Sequence, residues 1–360
     1  MTHLSRVALI GYGYAGKTFH APLLTAEPGL ALTLVASRDA AKVHADVPGV
    51  AVTADPDVAA TDDAIDLIVI AAPNDTHAPL ARAALKAGKH VVIDKPFTLD
   101  LAEARELLAL AERHDRLLSV FHNRRWDSDF LSVADAIRHG VAGTVTHFES
   151  HFDRFRPIVR DRWREAGGAG SGIWFDLGPH LIDQALLLFG LPNRVQADLA
   201  RQRSGALSDD WAHVVLDYGE ARVILHAGML VAGGVPRFTV HGDRGSLIKR
   251  QPDGQEQQLL AGMRPGAPGW GMDDDPVIAF DADGGERLLP AVSGDQRLYY
   301  AGIAAALRGE GTNPVHPIEA LAVMSVLEAA ARSAAERRSV EPDFTEAERA
   351  ALRAAATSAI

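Results

Sequence analysis

The stretch Val7-Ala8-Leu9-Ile10-Gly11-Tyr12-Gly13-Tyr14-Ala15-Gly16 constrains the fold more than any other part of the 360 residues. A short apolar run ends on G-x-G-x-x-G, and a helical pattern over residues 17–26 follows at once. The glycine pattern alone is weak. Between a strand and a helix it reads as a dinucleotide-binding turn. Gly11 allows the tight turn, Gly13 lets a pyrophosphate approach the backbone, and Gly16 lets helix and strand pack closely. Tyr14 and Ala15 complete the turn. The helix N-terminus adds free N–H groups and partial positive charge for an anion.

The next hundred residues repeat the same alternation. Residues 31–36, 67–71, 90–93 and 117–121 are short runs rich in β-branched residues, as suits strands buried on both faces of a parallel sheet. Helical patterns over 78–87 and 101–113 separate them, the second opened by Asp100 and Glu103 spaced as a capping box. Alternation of this kind predicts right-handed βαβ units and a doubly wound, Rossmann-type α/β domain over 1–121.

Beyond residue 121 the pattern changes. A helix is expected over 128–139, an antiparallel strand over 144–155, and a helix ending near 189 after the glycine-rich 167–172. Turn-bounded strands follow at 194–203, 212–218, 221–230 and 237–241. This predicts an α+β domain over 122–360, built on an open and mainly antiparallel sheet. Residues 252–283, rich in Gly, Pro and Asp, read as loops, and helices return at 296–307, 317–332 and 345–356. These last helices are free to pack on either domain.

Composition narrows the function. A formal net charge of −11 disfavours a broad nucleic-acid-binding surface. Cysteine is absent, which excludes disulfides, thiolate metal sites and a cysteine nucleophile. No run of about eighteen apolar residues suggests a membrane span, and no secretory-signal pattern is seen, so the expected location is the cytoplasm.

The end of the second strand chooses the nucleotide. An NAD site usually carries Asp or Glu about 20 residues past the glycines, to accept from the ribose hydroxyls. Here Ala36-Ser37-Arg38 stands at that point, and Asp39 comes one residue late. A hydroxyl followed by a guanidinium suits a 2′-phosphate, so NADP is expected over NAD.

Two segments carry acid–base chemistry. Asp94-Lys95-Pro96 closes the strand at 90–93, where open α/β sheets bind ligands. There an ammonium can hold a substrate oxygen and stabilise alkoxide charge. Asp176, His180 and Asp183 are spaced to share one helix face, so two carboxylates could orient the imidazole and raise its basicity. From the residues alone three readings stand: catalysis, helix capping by Asp176 beside a partly buried histidine, or a divalent metal site.

Taken together, the glycine motif, Ala72-Pro73-Asn74 with His77, Asp94-Lys95-Pro96 and the stretch from Gly172 to Asp183 resemble the Gfo/Idh/MocA oxidoreductases over nearly the whole chain. The resemblance implies that Lys95, Asp176 and His180 are catalytic, that Asp183 contacts a substrate hydroxyl, and that Pro73, Asn74 and His77 line the nicotinamide side of the cofactor. It also implies that no metal is needed. Asp94 departs from the usual Glu. GYGYAGKTFHAPLL and FHNRRWDSDF further resemble a bacterial subgroup that includes NADP-dependent scyllo-inositol dehydrogenases.

Other residues are weaker candidates. Asn123 and Arg125 could touch cofactor or substrate, although a charged hinge packed by Trp126 is the favoured reading. Trp163 and Arg164, before the glycine-rich stretch, could rim the pocket and contact a sugar. Tyr299 and Tyr300 read as core. His20, His147, His151, His213, His226 and His241 have no ligand spacing and read as structural. The expected activity is reversible alcohol–ketone interconversion on a polyol, inositol or sugar by a homodimer or homotetramer. The competing readings are a non-catalytic NADP-dependent sensor and a reductase of an imine or tetrapyrrole.

Overall fold

Six short strands form a wholly parallel sheet: β1 (Ser5–Ile10), β2 (Leu30–Ala36), β3 (Ala51–Thr53), β4 (Leu67–Ile70), β5 (His90–Ile93) and β6 (Leu118–Val120). The computed structural model describes residues 4–358. The strand order is β3-β2-β1-β4-β5-β6. Helices α1 (Ala21–Ala26), α2 (Ala40–Asp46), α3 (Pro56–Thr61), α4 (His77–Lys86) and α5 (Leu101–Arg113) connect the strands.

The apolar runs are continuous because both faces are covered. Ala8, Ile10, Ile68 and Ile70 point into one core, while Val7, Leu9, Leu67 and Val69 point into another. The order reverses at β1, which lies between β2 and β4. A crevice at the carboxyl ends of β1 and β4 is the ligand-binding place of such sheets. At α5, Asp100 accepts from the Glu103 N–H at 2.8 Å, as its spacing predicts.

The second sheet has eight strands. After α6 (Ser128–Arg138) come β7 (Val145–Asp153), α7 (Ile173–Phe189), β8 (Arg194–Ala200), β9 (Trp211–Asp217), β10 (Arg222–Gly228), β11 (Phe238–Gly242) and β12 (Gly245–Lys249). Then follow α8 (Gln255–Leu260), β13 (Val277–Asp281) and β14 (Glu286–Leu289). The order is β14-β13-β12-β11-β7-β10-β9-β8.

The sheet is mainly antiparallel, as expected, with one parallel pair. β7 is antiparallel to β11 but parallel to β10, because α7, β8 and β9 intervene before the chain returns beside it. One face of the sheet packs Phe148, Val214, Leu216, Val223, Leu225 and Val240 into the core that holds Trp174, Leu177 and Leu181 of α7.

The stretch read as loops at 252–283 contains α8 and β13. Neither has a strong local pattern. β13 exists because β12 pairs with it, and the fully buried Lys249 bridges Asp273 at 2.9 Å and Asp275 at 2.8 Å beside it. Three more helices end the chain: α9 (Arg297–Leu307), α10 (Pro317–Glu336) and α11 (Glu346–Ser358). α9 returns to the first sheet, where Tyr299, Tyr300 and Ile303 join the core of Val7 and Leu9. α10 packs on α5, α7 and β8. Among the described residues no helix is long and apolar enough to cross a membrane.

Candidate active site

The glycine turn divides its labour as its spacing predicts. Gly11 has φ +99°, and a Cβ there would stand 2.4 Å from the Ala71 carbonyl oxygen. A Cβ on Gly16 would stand 2.1 Å from the Gly11 carbonyl oxygen, so β1 and the helix can meet only through glycine. A Cβ on Gly13 would meet nothing within 4 Å. That open backbone position fits a pyrophosphate. The helix opens with a π-helical turn, Gly16–His20, before α1.

A cavity of about 560 Å³ runs from this turn past Ser37, Arg38, Pro73 and Thr76. Arg38 is exposed, and Asp39 is spent on capping α2, accepting from the Lys42 N–H at 2.9 Å. Lys42 lines the same cavity and donates from Nζ to the Tyr12 carbonyl at 2.9 Å. Lys42 was not a sequence candidate. Its one signal is position, four residues beyond Arg38 on a helix that starts there.

A second cavity, about 300 Å³, adjoins the other side of the turn. Tyr14 and Ala15 line it, together with Asp94, Lys95, Asn123, Asp176 and His180. Lys95 follows β5, and Asp176 lies in the first turn of α7. The Lys95 ammonium donates to the Asp176 carbonyl oxygen at 2.7 Å and to its carboxylate at 3.1 Å. Burial alone would raise the Asp176 carboxyl, but Lys95, Arg164 and Arg154 hold it far below the usual carboxylate range. The carboxylate is therefore ionised at every pH at which the protein would work.

His180 is shifted by burial first, then by Lys95, Arg124, His122 and Arg237, which together hold its pKa well below the ordinary imidazole value. Its Nδ1 is buried and has no hydrogen-bond partner among the described residues. His180 lines the cavity, and a neutral imidazole there is equipped to exchange a proton with a bound hydroxyl.

The expected orientation of His180 by two carboxylates is not what the structure shows. Asp176 is spent on Lys95, with Arg164 Nε a further 3.4 Å away. Asp183 is spent on Arg125, at 2.7 Å, with both side chains buried. The charges facing His180 are cationic, so its basicity is lowered rather than raised. Helix capping by Asp176 is also excluded, since Gly172 is the N-cap of α7 and Asp209 accepts from the Trp174 N–H at 2.8 Å.

The remaining candidates divide. Arg164 lines the second cavity and stacks over Trp163, 4.5 Å from the ring centre, while Trp163 itself is exposed outside the lining. Asn123 lines the cavity and donates to the Gln296 side chain at 2.9 Å. Arg125 faces away, toward Asp183, Glu319 and the Pro314 carbonyl. His77 is buried with its two ring nitrogens 2.9 and 3.1 Å from the carbonyls of Pro96 and Ala72, so it braces the loops after β4 and β5. Asn74 donates to the Gly170 carbonyl at 3.1 Å, tying the β4 loop to the glycine-rich stretch. Asp94 is buried 3.7 Å from His20 Nε2.

Sequence reasoning missed the density of arginine around the cavity. Arg124, Arg154, Arg156, Arg160 and Arg162 join Arg164 and Lys95 in its lining, against the carboxylates of Asp94, Asp176 and Glu256. The signal was present in the run Arg154 to Arg164, which holds five arginines. Two histidines read as structural, His151 and His226, meet Asp153 on the outer side of the second sheet.

Comparison with known proteins places this geometry. A family model described as the NAD-binding Rossmann fold of the oxidoreductase family matches residues 5–122, and its companion, the C-terminal alpha/beta domain, matches residues 134–341. The chain is 54% identical to the uncharacterized oxidoreductase YdgJ of Escherichia coli, over 92% of this chain and 97% of that one. It is 36% identical to the scyllo-inositol 2-dehydrogenase (NADP(+)) IolW of Bacillus subtilis, over 93% and 95%. A crystal structure from Klebsiella pneumoniae superposes with a TM-score of 0.93 at 58% identity, covering 98% of this chain and 99% of that one. With both halves of the chain matched in order, it belongs to the Gfo/Idh/MocA family of oxidoreductases.

Proposed function

We propose that this chain interconverts an alcohol and a ketone, aldehyde or lactone on a polyol, inositol or sugar, with NADP as its cofactor. The observation that carries the reading is a shared cavity. Two residues of the glycine turn, Tyr14 and Ala15, line the same space as Lys95, Asp176 and His180. Ser37, Arg38 and Lys42 at the other cavity support a 2′-phosphate over a bare ribose. That IolW is an NADP(+)-dependent scyllo-inositol dehydrogenase supports the same cofactor and substrate class.

The nicotinamide ring, when bound, supplies the hydride acceptor or donor. The chain supplies position and proton transfer. Lys95 gives one of its three N–H donors to the substrate oxygen and stabilises the charge that develops there. Asp176 keeps that ammonium aimed, accepting from it through its carbonyl and its carboxylate. In oxidation, neutral His180 takes the hydroxyl proton, and in reduction it returns one. The excess of guanidinium groups favours substrates that carry a carboxylate or phosphate beside their hydroxyls. The same proposal includes a cofactor domain at 1–121, a substrate domain at 122–360, a cytoplasmic location and a homodimer or homotetramer.

The test is a nicotinamide absorbance assay over neutral inositols, aldoses, uronates and sugar phosphates, with NADP(H) and NAD(H) in parallel. Turnover that prefers NADP(H) and vanishes in Lys95→Ala supports the proposal. Tight NADPH binding with no turnover on any member would favour a sensor.

A further inference from the structure

We propose that His151, Asp153 and His226 form a binding site for one divalent transition-metal ion of the zinc type, on the outer face of the second sheet. None of the three lines the cavity of Lys95 and His180, so the site stands independently of the oxidoreductase reading.

The backbone brings the ligands together. β7 and β10 run parallel with His151 directly opposite His226. Asp153 lies two residues past His151, hence on the same face of β7. The ligand atoms all lie within 4.8 Å of one another. His151 Nδ1 is 3.3 Å from one Asp153 carboxylate oxygen, and His226 Nε2 is 3.6 Å from the other. Four ligands placed tetrahedrally at about 2.0–2.1 Å from zinc are separated by roughly 3.3 Å. Each contact is close to that edge length, but the two end on different oxygens of Asp153, so a tetrahedral site requires the carboxylate to turn until one oxygen faces both nitrogens.

The hydrogen bonding leaves a gap that a cation fills. His151 Nε2 lies 3.0 Å from the Glu149 carboxylate, which can only accept, so the ring proton belongs on Nε2. In the neutral ring Nδ1 is then a lone pair facing a carboxylate. Both His151 Nδ1 and an Asp153 carboxylate oxygen are buried without a hydrogen-bond partner among the described residues. Buried polar atoms are nearly always paired, so the cluster calls for positive charge; a proton on Nδ1 would serve only the His151 side, whereas a metal ion would serve both. A histidine that ligates metal through one nitrogen and donates to a carboxylate through the other is the usual outer arrangement of zinc sites. The outer nitrogen of His226 faces an imidazole instead, its Nδ1 3.4 Å from that of His213.

Room is kept beside the ligands. A Cβ on Gly228 would stand 3.2 Å from an Asp153 oxygen and 3.4 Å from His226 Nε2. Glycine there leaves the approach to both atoms unobstructed. Two imidazoles and one carboxylate are a nitrogen-rich set, suited to zinc and its neighbours rather than to magnesium or calcium. Three protein ligands leave a fourth position for water. Such an ion would clamp the ends of β7 and β10 together. The chain leaves β7 at that point for the arginine-rich segment, with the Arg154 N–H donating to the Gly228 carbonyl at 2.8 Å.

The test strips purified full-length protein with a chelator and titrates it with Zn²⁺ alone, in competition with a chromophoric chelator. Uptake of one ion per chain is expected, and Co²⁺ in its place should give the intense visible absorption of a tetrahedral site. Asp153→Asn and His226→Gln should each abolish stoichiometric uptake. Glu149→Gln should weaken it about 10–100-fold. His241→Gln, on the same face but bonded to Ser246, should leave it unchanged. Circular dichroism confirms that each variant is folded, and His226→Gln decides the matter if Asp153→Asn is not. No stoichiometric uptake by the wild-type protein, or uptake that survives in folded His226→Gln, overturns the site.

Discussion

The Asp183 carboxylate and the Arg125 guanidinium form a forked ion pair, with contacts of 2.7, 3.0 and 3.2 Å, and neither side chain is more than 9% exposed. Family resemblance implies that Asp183 contacts a substrate hydroxyl. The geometry gives it a different task, joining the segment after β6 to the middle of α7. Removing one partner of a buried pair leaves an uncompensated charge and costs about 3–5 kcal/mol. Asp183→Ala is therefore expected to lower the free energy of unfolding in urea by about that amount. The variant's substrate KM, measured where it is still folded, should be unchanged. Unaltered stability with a raised KM would return Asp183 to the substrate.

The environment of His180 sets a pH dependence. Burial and the surrounding cations, Lys95 first among them, favour the neutral ring. Oxidation needs that neutral form as base, so kcat/KM in this direction should stay flat as pH falls through 6.5, the ordinary imidazole value. It should drop only at more acid pH, when the ring finally takes a proton. Replacing Lys95 with Met removes one of the opposing charges, so the His180 pKa should rise in that variant, as read by histidine proton NMR. His180→Ala should lower kcat by about 10²–10⁴-fold. An acid limb at 6.5 or above in the wild-type profile would remove His180 as the base.

What was readable in the sequence follows from how far apart the interacting residues lie. β5 and α5 have the ranges their residues predict, because a buried parallel strand and a capped amphipathic helix are both local patterns. The glycine turn is local too. The partners of Asp176 and Asp183 are not. Their spacing on α7 was read correctly, but Lys95 is 81 residues away and Arg125 is 58, and these decide what the carboxylates do. His151 and His226 are likewise joined only by the parallel register of β7 and β10, a pairing the sequence did not suggest. The single local sign was His151-Phe152-Asp153, two ligand types on one strand face. β12 and β14 escaped notice because their order depends on neighbouring strands rather than on their own alternation.

Cofactor preference can be tested at one side chain. Arg38 is exposed at the mouth of the cavity that begins at Gly11 and Gly13, and Asp39 is occupied by the α2 cap. Charge-assisted hydrogen bonds contribute about 1.5–3 kcal/mol. Arg38→Ala should thus weaken NADPH binding by roughly 10–150-fold in a fluorescence titration. NADH binding should change little, since it has no 2′-phosphate to lose. Equal losses for both nucleotides would mean that Arg38 acts on something the two share.

The glycine turn allows binding and folding to be separated. At Gly16 an added methyl would collide with the Gly11 carbonyl at 2.1 Å, so the backbone must shift and the packing of helix against β1 must open. Overpacking of this kind costs about 1–3 kcal/mol or more. Gly16→Ala should therefore lower the melting temperature of the cofactor-free protein. At Gly13 the same methyl meets no protein atom, so Gly13→Ala should melt with the wild type. Its methyl instead occupies the space where a pyrophosphate would approach the backbone. The Gly13→Ala protein is expected to bind NADPH at least about tenfold more weakly, a loss of roughly 1.4 kcal/mol. The contrast does not depend on the substrate. If Gly13→Ala bound NADPH normally, the dinucleotide would have to lie elsewhere, and the roles assigned to Tyr14, Ala15 and the shared cavity would fall with it.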